Sequence, residues 1–244
     1  MGVGRHGGYG WKVALAGLLV TVFALSLSFS ARAGGTGQVR ALHSVKTTEK
    51  VVALSFDDGP SPEATPLILE YLKAQKIHAT FFLIGQEARA YPHLVAREAL
   101  EGHDVGNHGM HHKYLGPSLS ESIIRDEITQ ASDAISKAGA PRPTFFRLPG
   151  GVTSGRTHKA LAETGLQVIG WSVDPRDSFR RPSGEIVKDI LAQVKPGSII
   201  LLHDGPGERQ ATYTALRTVV PQLKAQGYRI VSVSELMKLG TAGA

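Results

Sequence analysis

The 244-residue chain contains no cysteine. Disulfide scaffolds and thiolate chemistry are therefore excluded, whether as nucleophile or as metal ligand. The absence fits export, since a domain of this size does not require cross-links, and it equally fits a reducing compartment. Neither sign of charge is in large excess. The formal net charge is +6, and three of the 27 basic residues (Arg5, Lys12, Arg32) and none of the 21 acidic ones fall before residue 34, which leaves +3 for the remainder. That balance gives no electrostatic footprint for nucleic acid. There is no internal repeat and no low-complexity tract, so a solenoid or fibrous array is excluded. Long apolar runs are missing beyond residue 29, which confines any membrane attachment to the N-terminus.

What is present begins with that N-terminus. Arg5 and Lys12 precede an apolar run from Val13 to Phe29, followed by Ala31-Arg32-Ala33. This is the layout of a signal peptide with a small-residue cleavage site, the alternative being a retained N-terminal anchor. We expect residues 1–33 to be this leader, 34–50 a linker and 51–240 one domain, exported to the cell envelope or beyond. GVGRHG (Gly2–Gly7) matches the dinucleotide fingerprint in letters alone, with no strand before it.

The rest of the chain alternates short β-rich apolar runs with longer helical patterns, the signature of βα units. Strands are expected at 51–56, 79–84, 104–107, 144–147, 168–172, 198–202 and 229–233. Helices are expected after Ser61, with Leu67, Leu69, Tyr71 and Leu72 on the apolar face, and over 92–100. Others are expected after Ser120, over 158–163, from Ser183 and over 212–225. Seven such repeats suggest an α/β barrel related to the eightfold one, with a doubly wound open sheet as the alternative.

Polar residues collect where these strands end: Asp57 and Asp58 after the first, His108 and His112 after the third, Arg147 at the fourth, Asp174 after the fifth, His203 after the sixth. In a parallel α/β domain, strand carboxyl ends share one rim, where sites are built. His108 and His112, four apart, can share one metal, and a carboxylate from Asp57-Asp58 completes a His, His, Asp set with open positions, the pattern of a catalytic site. One divalent ion is expected, zinc by default, with cobalt, nickel or manganese suited to the same donors. Two adjacent carboxylates can divide labour, one binding metal while the other takes a proton from water.

SFDDGP (55–60), HGMHH (108–112), FFRLPG (145–150), DPRD (174–177) and LLH (201–203) resemble, in order, the five motifs of the polysaccharide deacetylases, carbohydrate esterase family 4, or NodB homology domain. The resemblance implies a deformed (β/α) barrel of about seven parallel strands in a single domain. It implies a metal-dependent hydrolase that removes N-acetyl groups from glycans of the chitooligosaccharide or peptidoglycan kind. Asp57 would be the base, Asp58, His108 and His112 the metal ligands, and His203 the acid. Arg147 would orient Asp57, and Asp174 would tune the charged groups around Arg147 and His203.

Leu201 would line the acetyl pocket, with Trp171 or Phe179 compensating where the fourth motif lacks its tryptophan, and Gly150 would offer its N–H to the oxyanion. Two positions depart from the family pattern. Gly150 stands where tyrosine is usual, which implies a missing groove wall and a looser loop; Ser178 stands where tryptophan is usual. Arg176, Asp177, Arg180 and Arg181 read as a solvated loop. An N-acetylated glycan is the expected partner and a monomer the expected state. The alternatives are an O-acetyl esterase on polymers such as xylan, an inactive carbohydrate-binding module, and an amidohydrolase of small nitrogenous compounds.

Overall fold

The strand β2 (Val51–Asp57) is buried at all seven positions, so both of its faces must be covered. In the computed structural model, which describes residues 1–4 and 39–243, the elements follow one another in this order. They are β1 (Ser44–Lys46), β2, α1 (Thr65–Gln75), β3 (Thr80–Leu83), α2 (Gly85–Ala90), α3 (Pro92–Leu100), β4 (Asp104–Asn107), α4 (Glu121–Lys137), β5 (Phe145–Phe146) and α5 (Gly155–Thr164). Then come β6 (Gln167–Val168), α6 (Ser183–Gln193), β7 (Ile199–His203), α7 (Gln210–Ala225), β8 (Arg229–Val231), α8 (Val233–Lys238) and β9 (Thr241–Gly243). The expected leader and cleavage site lie outside the described residues. Among those described, no helix is long and apolar enough to cross a membrane.

Strands β2–β8 form one parallel sheet in the order β6-β5-β4-β3-β2-β7, and β8 pairs with the first half of β2. The two ends of this path meet. Past β6, Val173 bridges Ile200 of β7 in parallel, and the Leu201 N–H donates to the Val173 carbonyl at 2.9 Å. The fold is thus the deformed (β/α) barrel and not the open doubly wound sheet. The seven expected strands correspond to β2–β8, although β5 and β6 have only two residues each. The strand expected over 168–172 is cut short because its backbone turns to another partner: Leu42 donates to Val168 and accepts from Gly170.

Alternation along the strands sorts the side chains. Val52, Leu54 and Phe56 of β2 and Ile200 and Leu202 of β7 pack against Ile68, Leu69 and Leu72 of α1, Ile190 of α6 and Leu216 of α7. Val51, Ala53 and Ile199 pack on the opposite face with Phe82, Ile169 and Leu236. The period of two then directs Ser55, Asp57, Leu201 and His203 into the barrel rather than toward the helices.

Three expectations are corrected. The segment 34–50 is not all linker: Leu42 and Val45 are buried with the inner cluster, and β1 pairs antiparallel with β9. The first helix begins at Thr65, one turn later than Ser61, because Ser61 Oγ accepts from the Ala64 N–H at 3.2 Å and so closes a separate turn. Its buried face is Thr65, Ile68, Leu69 and Leu72, which leaves Leu67 exposed. Helices α2 and α8, six residues each, have no counterpart among the expected helices. They are too short to show a period.

Candidate active site

Asp57 ends β2, and across the sheet its Cα is in register with that of His203 at the end of β7. Asn107 ends β4 in register with Phe146, so His108 and Arg147 follow side by side. The four strands therefore deliver these side chains to one mouth without any long loop.

Arg147 is fully buried and projects inward. Its Nη1 donates to Asp57 Oδ1 at 2.7 Å and to Ser55 Oγ at 2.9 Å, and its Nη2 donates to the Gly170 carbonyl at 3.0 Å. The guanidinium stacks 4.0 Å from the centroid of Phe82 and 5.7 Å from that of Trp171. A guanidinium held this way fixes one Asp57 oxygen and leaves the other, Oδ2, turned to His108 at 3.6 Å. The structure thus brings Arg147 and Asp57 together in a direct ion pair.

Asp58 points elsewhere because its backbone has φ of 73°. That left-handed turn separates two carboxylates that are neighbours in sequence. Gly205 makes room for it, since a Cβ there would lie 2.1 Å from the Asp58 carbonyl oxygen. Asp58 Oδ1 faces His112 Nε2 at 3.2 Å and His108 Nε2 at 3.5 Å. Among the described residues, Asp58, His108 and His112 are the group of potential ligands whose donor atoms all lie within 4.8 Å of one another.

These residues fit a divalent ion. Asp58 Oδ1 is buried with no hydrogen bond, an arrangement that costs free energy unless a cation completes it. The His108 Nδ1–H donates to the Arg147 carbonyl at 2.9 Å, which turns Nε2 toward Asp58 as ligand atom. Burial disfavours the Asp58 anion, but the facing imidazoles of His108, His203 and His112 outweigh it and hold the carboxyl below its usual range. His112 has φ of 54°. Left-handed backbone on a non-glycine residue costs about 1–2 kcal/mol and tends to collect at functional sites.

His203 Nδ1 donates to Asp177 Oδ1 at 2.7 Å, and Asp177 Oδ2 accepts from the His203 N–H at 2.9 Å and from Thr212 Oγ1 at 2.8 Å. Burial opposes the charged imidazole. The bond and charge of Asp177, with Asp57 and Asp58 nearby, overcome it and raise the His203 pKa to about 9. Asp177 was expected to be a solvated loop residue and instead is buried against His203. Asp174 does not sit by Arg147 or His203; its Oδ1 accepts from the Arg176 N–H at 2.7 Å, within its own turn. The chain reverses at Arg176, with φ of 58°, so the second aspartate of DPRD points in where the first was expected.

Gly150, with φ of 62°, lies in the short 3-10 turn Pro149–Gly151 beside Tyr114. Trp171 and the Gly150-Gly151 pair line a cavity of about 480 Å³ that reaches His43 and His158. Leu201 is buried on the inner face, one step below His203. Of the two aromatics expected to compensate for Ser178, Trp171 packs toward Arg147, while Phe179 is exposed.

A further residue absent from the expected site is Glu127 of α4. Its side chain is 4% exposed and accepts from the His111 N–H at 2.9 Å, faces His111 Nδ1 at 2.8 Å and pairs with Lys113 Nζ at 2.8 Å. It grips the loop on both sides of His112. The four-residue spacing of Ile124, Glu127, Ile128 and Ala131 could have placed it on the buried face.

The family profile described as polysaccharide deacetylase matches residues 44–169. A peptidoglycan-N-acetylglucosamine deacetylase of Bacillus cereus is 41% identical over 196 residues, 80% of this chain and 91% of the relative. A chitooligosaccharide deacetylase of Bradyrhizobium is 39% identical over 201 residues, 76% of this chain and 90% of the relative. A crystal structure of a peptidoglycan N-acetylglucosamine deacetylase superposes with TM-score 0.77 at 34% identity, covering 82% of this chain and 94% of that one. A carboxylate held by a buried arginine, a paired-histidine metal cradle and a barrel that closes around both are here joined to that extent of sequence likeness, and the chain belongs to the polysaccharide deacetylase family.

Proposed function

We propose that this protein is a metal-dependent N-deacetylase, a hydrolase that cleaves the amide of an N-acetylated glucosamine residue in an oligo- or polysaccharide to give acetate and a free amine. The observation that carries this reading is the placement of Arg147-bound Asp57 and Asp177-bound His203 at the ends of the neighbouring strands β2 and β7, with the Asp58, His108, His112 cradle at the same mouth.

A divalent ion held by Asp58, His108 and His112 supplies Lewis acidity, which makes water nucleophilic near neutral pH and polarises a carbonyl. Zinc is the ion we assign, on the two imidazoles and one carboxylate. Asp57, its Oδ1 fixed by Arg147, takes the proton of the attacking water. The N–H of Gly150 is assigned to the developing oxyanion. His203, kept protonated through neutral pH by Asp177, donates to the leaving nitrogen, which is a poor leaving group until it carries that proton.

The substrates named for the relatives make peptidoglycan and chitooligosaccharides the glycans of choice. We also propose export, on the basic, apolar and small-residue order of residues 1–33.

The test is acetate release from N-acetylated chitooligosaccharides, peptidoglycan and acetylated xylan, with and without chelator. Release from the first two, abolished by chelator and restored by zinc, is expected; release from xylan alone would assign an O-acetyl esterase. Asp57→Asn should lose turnover by about 10²–10⁴-fold, the share of a positioned base, with metal content unchanged. His108→Ala should lose both turnover and metal.

A further inference from the structure

The departure at Gly150 has a partner elsewhere in the chain. A Cβ built on Gly150 would lie 2.5 Å from Cε1 and 3.0 Å from Cδ1 of Tyr114. The Tyr114 ring already fills the space that a side chain at position 150 would need. That ring is 63% exposed, and it meets the His112 ring edge-on at 6.0 Å between centroids.

Exposure alone would make Tyr114 an ordinary surface residue, but its backbone is held on both sides. Before it, the His111 N–H donates to buried Glu127 at 2.9 Å; after it, Leu115 is fully buried and its carbonyl accepts a hydrogen bond from Thr157 Oγ1. A large ring is thus presented to solvent on fixed backbone beside a metal ligand. It loses little rotamer freedom when it makes a contact.

We propose that Tyr114 is a specificity-determining residue, the wall of the substrate groove on the His112 side, and that its ring stacks on the C–H face of a pyranose in the N-acetylated glycan. A pyranose ring has an apolar face of axial hydrogens and a polar hydroxyl rim. Tyrosine matches it with an apolar ring face and a terminal hydroxyl. Gly150, which has no side chain, is what lets the Tyr114 ring take this place. The missing wall expected from the sequence is supplied by the preceding loop. This inference rests on the glycan reading above for the identity of the ligand.

The test compares Tyr114→Ala and Tyr114→Phe with the wild type on an N-acetylated chitotetraose, with zinc affinity measured in parallel. Tyr114→Ala should raise KM about 3- to 10-fold, as loss of an aromatic stacking contact implies, with kcat and zinc affinity within about 2-fold. Tyr114→Phe, which keeps the ring, should stay close to the wild type. An unchanged KM in Tyr114→Ala overturns the proposal. So does a fall in zinc affinity that matches the loss of activity, because Tyr114 would then support His112 and not the sugar. Calorimetric binding of the same tetraose to Asp57→Asn, with and without Tyr114→Ala, separates the two claims. Binding that weakens with Tyr114→Ala in a protein whose wild type never releases acetate would refute the deacetylase reading and leave Tyr114 as a sugar contact; no binding at all would refute both.

Discussion

At the scale of single residues, the site depends on what each titrating group is bonded to. His203 as a free imidazole would be mostly neutral at pH 7. Buried, it would be more so, yet the Asp177 bond and charge, together with Asp57 and Asp58, hold its pKa at about 9. Because the folded value is raised, the stability this pair contributes is complete below the unfolded histidine pKa of about 6.5 and is lost as pH rises through about 9. Asp177→Asn removes the charge and keeps an acceptor oxygen. The His203 proton resonance of the metal-free protein should then titrate well below its wild-type midpoint, and the alkaline limb of kcat should move to lower pH. An unmoved titration would show that Asp177 is not what holds the proton. The sequence exposed DPRD as a chemical motif but not which aspartate faces inward. That choice is made by the reversal at Arg176 and by Thr212 of α7, which lies 35 residues away from Asp177 in the chain.

At the scale of elements, α4 does more for the site than supply a wall. Its N-cap Ser120 accepts from the Ile123 N–H, and Ile124, Ile128, Ala131 and Ile135 form the buried face that the sequence period announces. On that face Glu127 reaches the loop that carries His112, whose left-handed backbone needs an external hold. Residues that orient metal ligands typically contribute 10–100-fold to metal affinity. If the proposed site holds zinc, Glu127→Ala should weaken its binding by about that factor, measured by competition with a chromogenic chelator, while the α4 core residues still fold the helix. Unaltered affinity with a lowered Tm would reduce Glu127 to a packing role. The helix was legible from its cap and period. The destination of its one buried carboxylate was not, because a sequence period identifies a face and not the loop that covers it.

At the scale of the whole molecule, both ends of the segment 39–243 are bound to the barrel domain. Val45 of β1 is 2% exposed, and its N–H donates to the Gly197 carbonyl at 2.9 Å ahead of β7, while β1 pairs with β9. Val45→Ala should cost about 2 kcal/mol from lost burial and cavity. For a domain of this size that is a fall in Tm of about 4–8 °C, read by thermal unfolding; no fall would return the segment to the status of a linker. The sequence by itself determined the seven strands, the βα alternation that makes them parallel and most of the rim residues, Asp174 apart, because both-face burial writes apolar runs and strand ends carry the polar residues that follow them. Tertiary structure alone decided that Asp177 and not Asp174 meets His203, and that Tyr114 stands in the space beside Gly150. Each of those pairings joins residues from different βα units, and their contact is set by barrel closure and by backbone reversals that no local periodicity records.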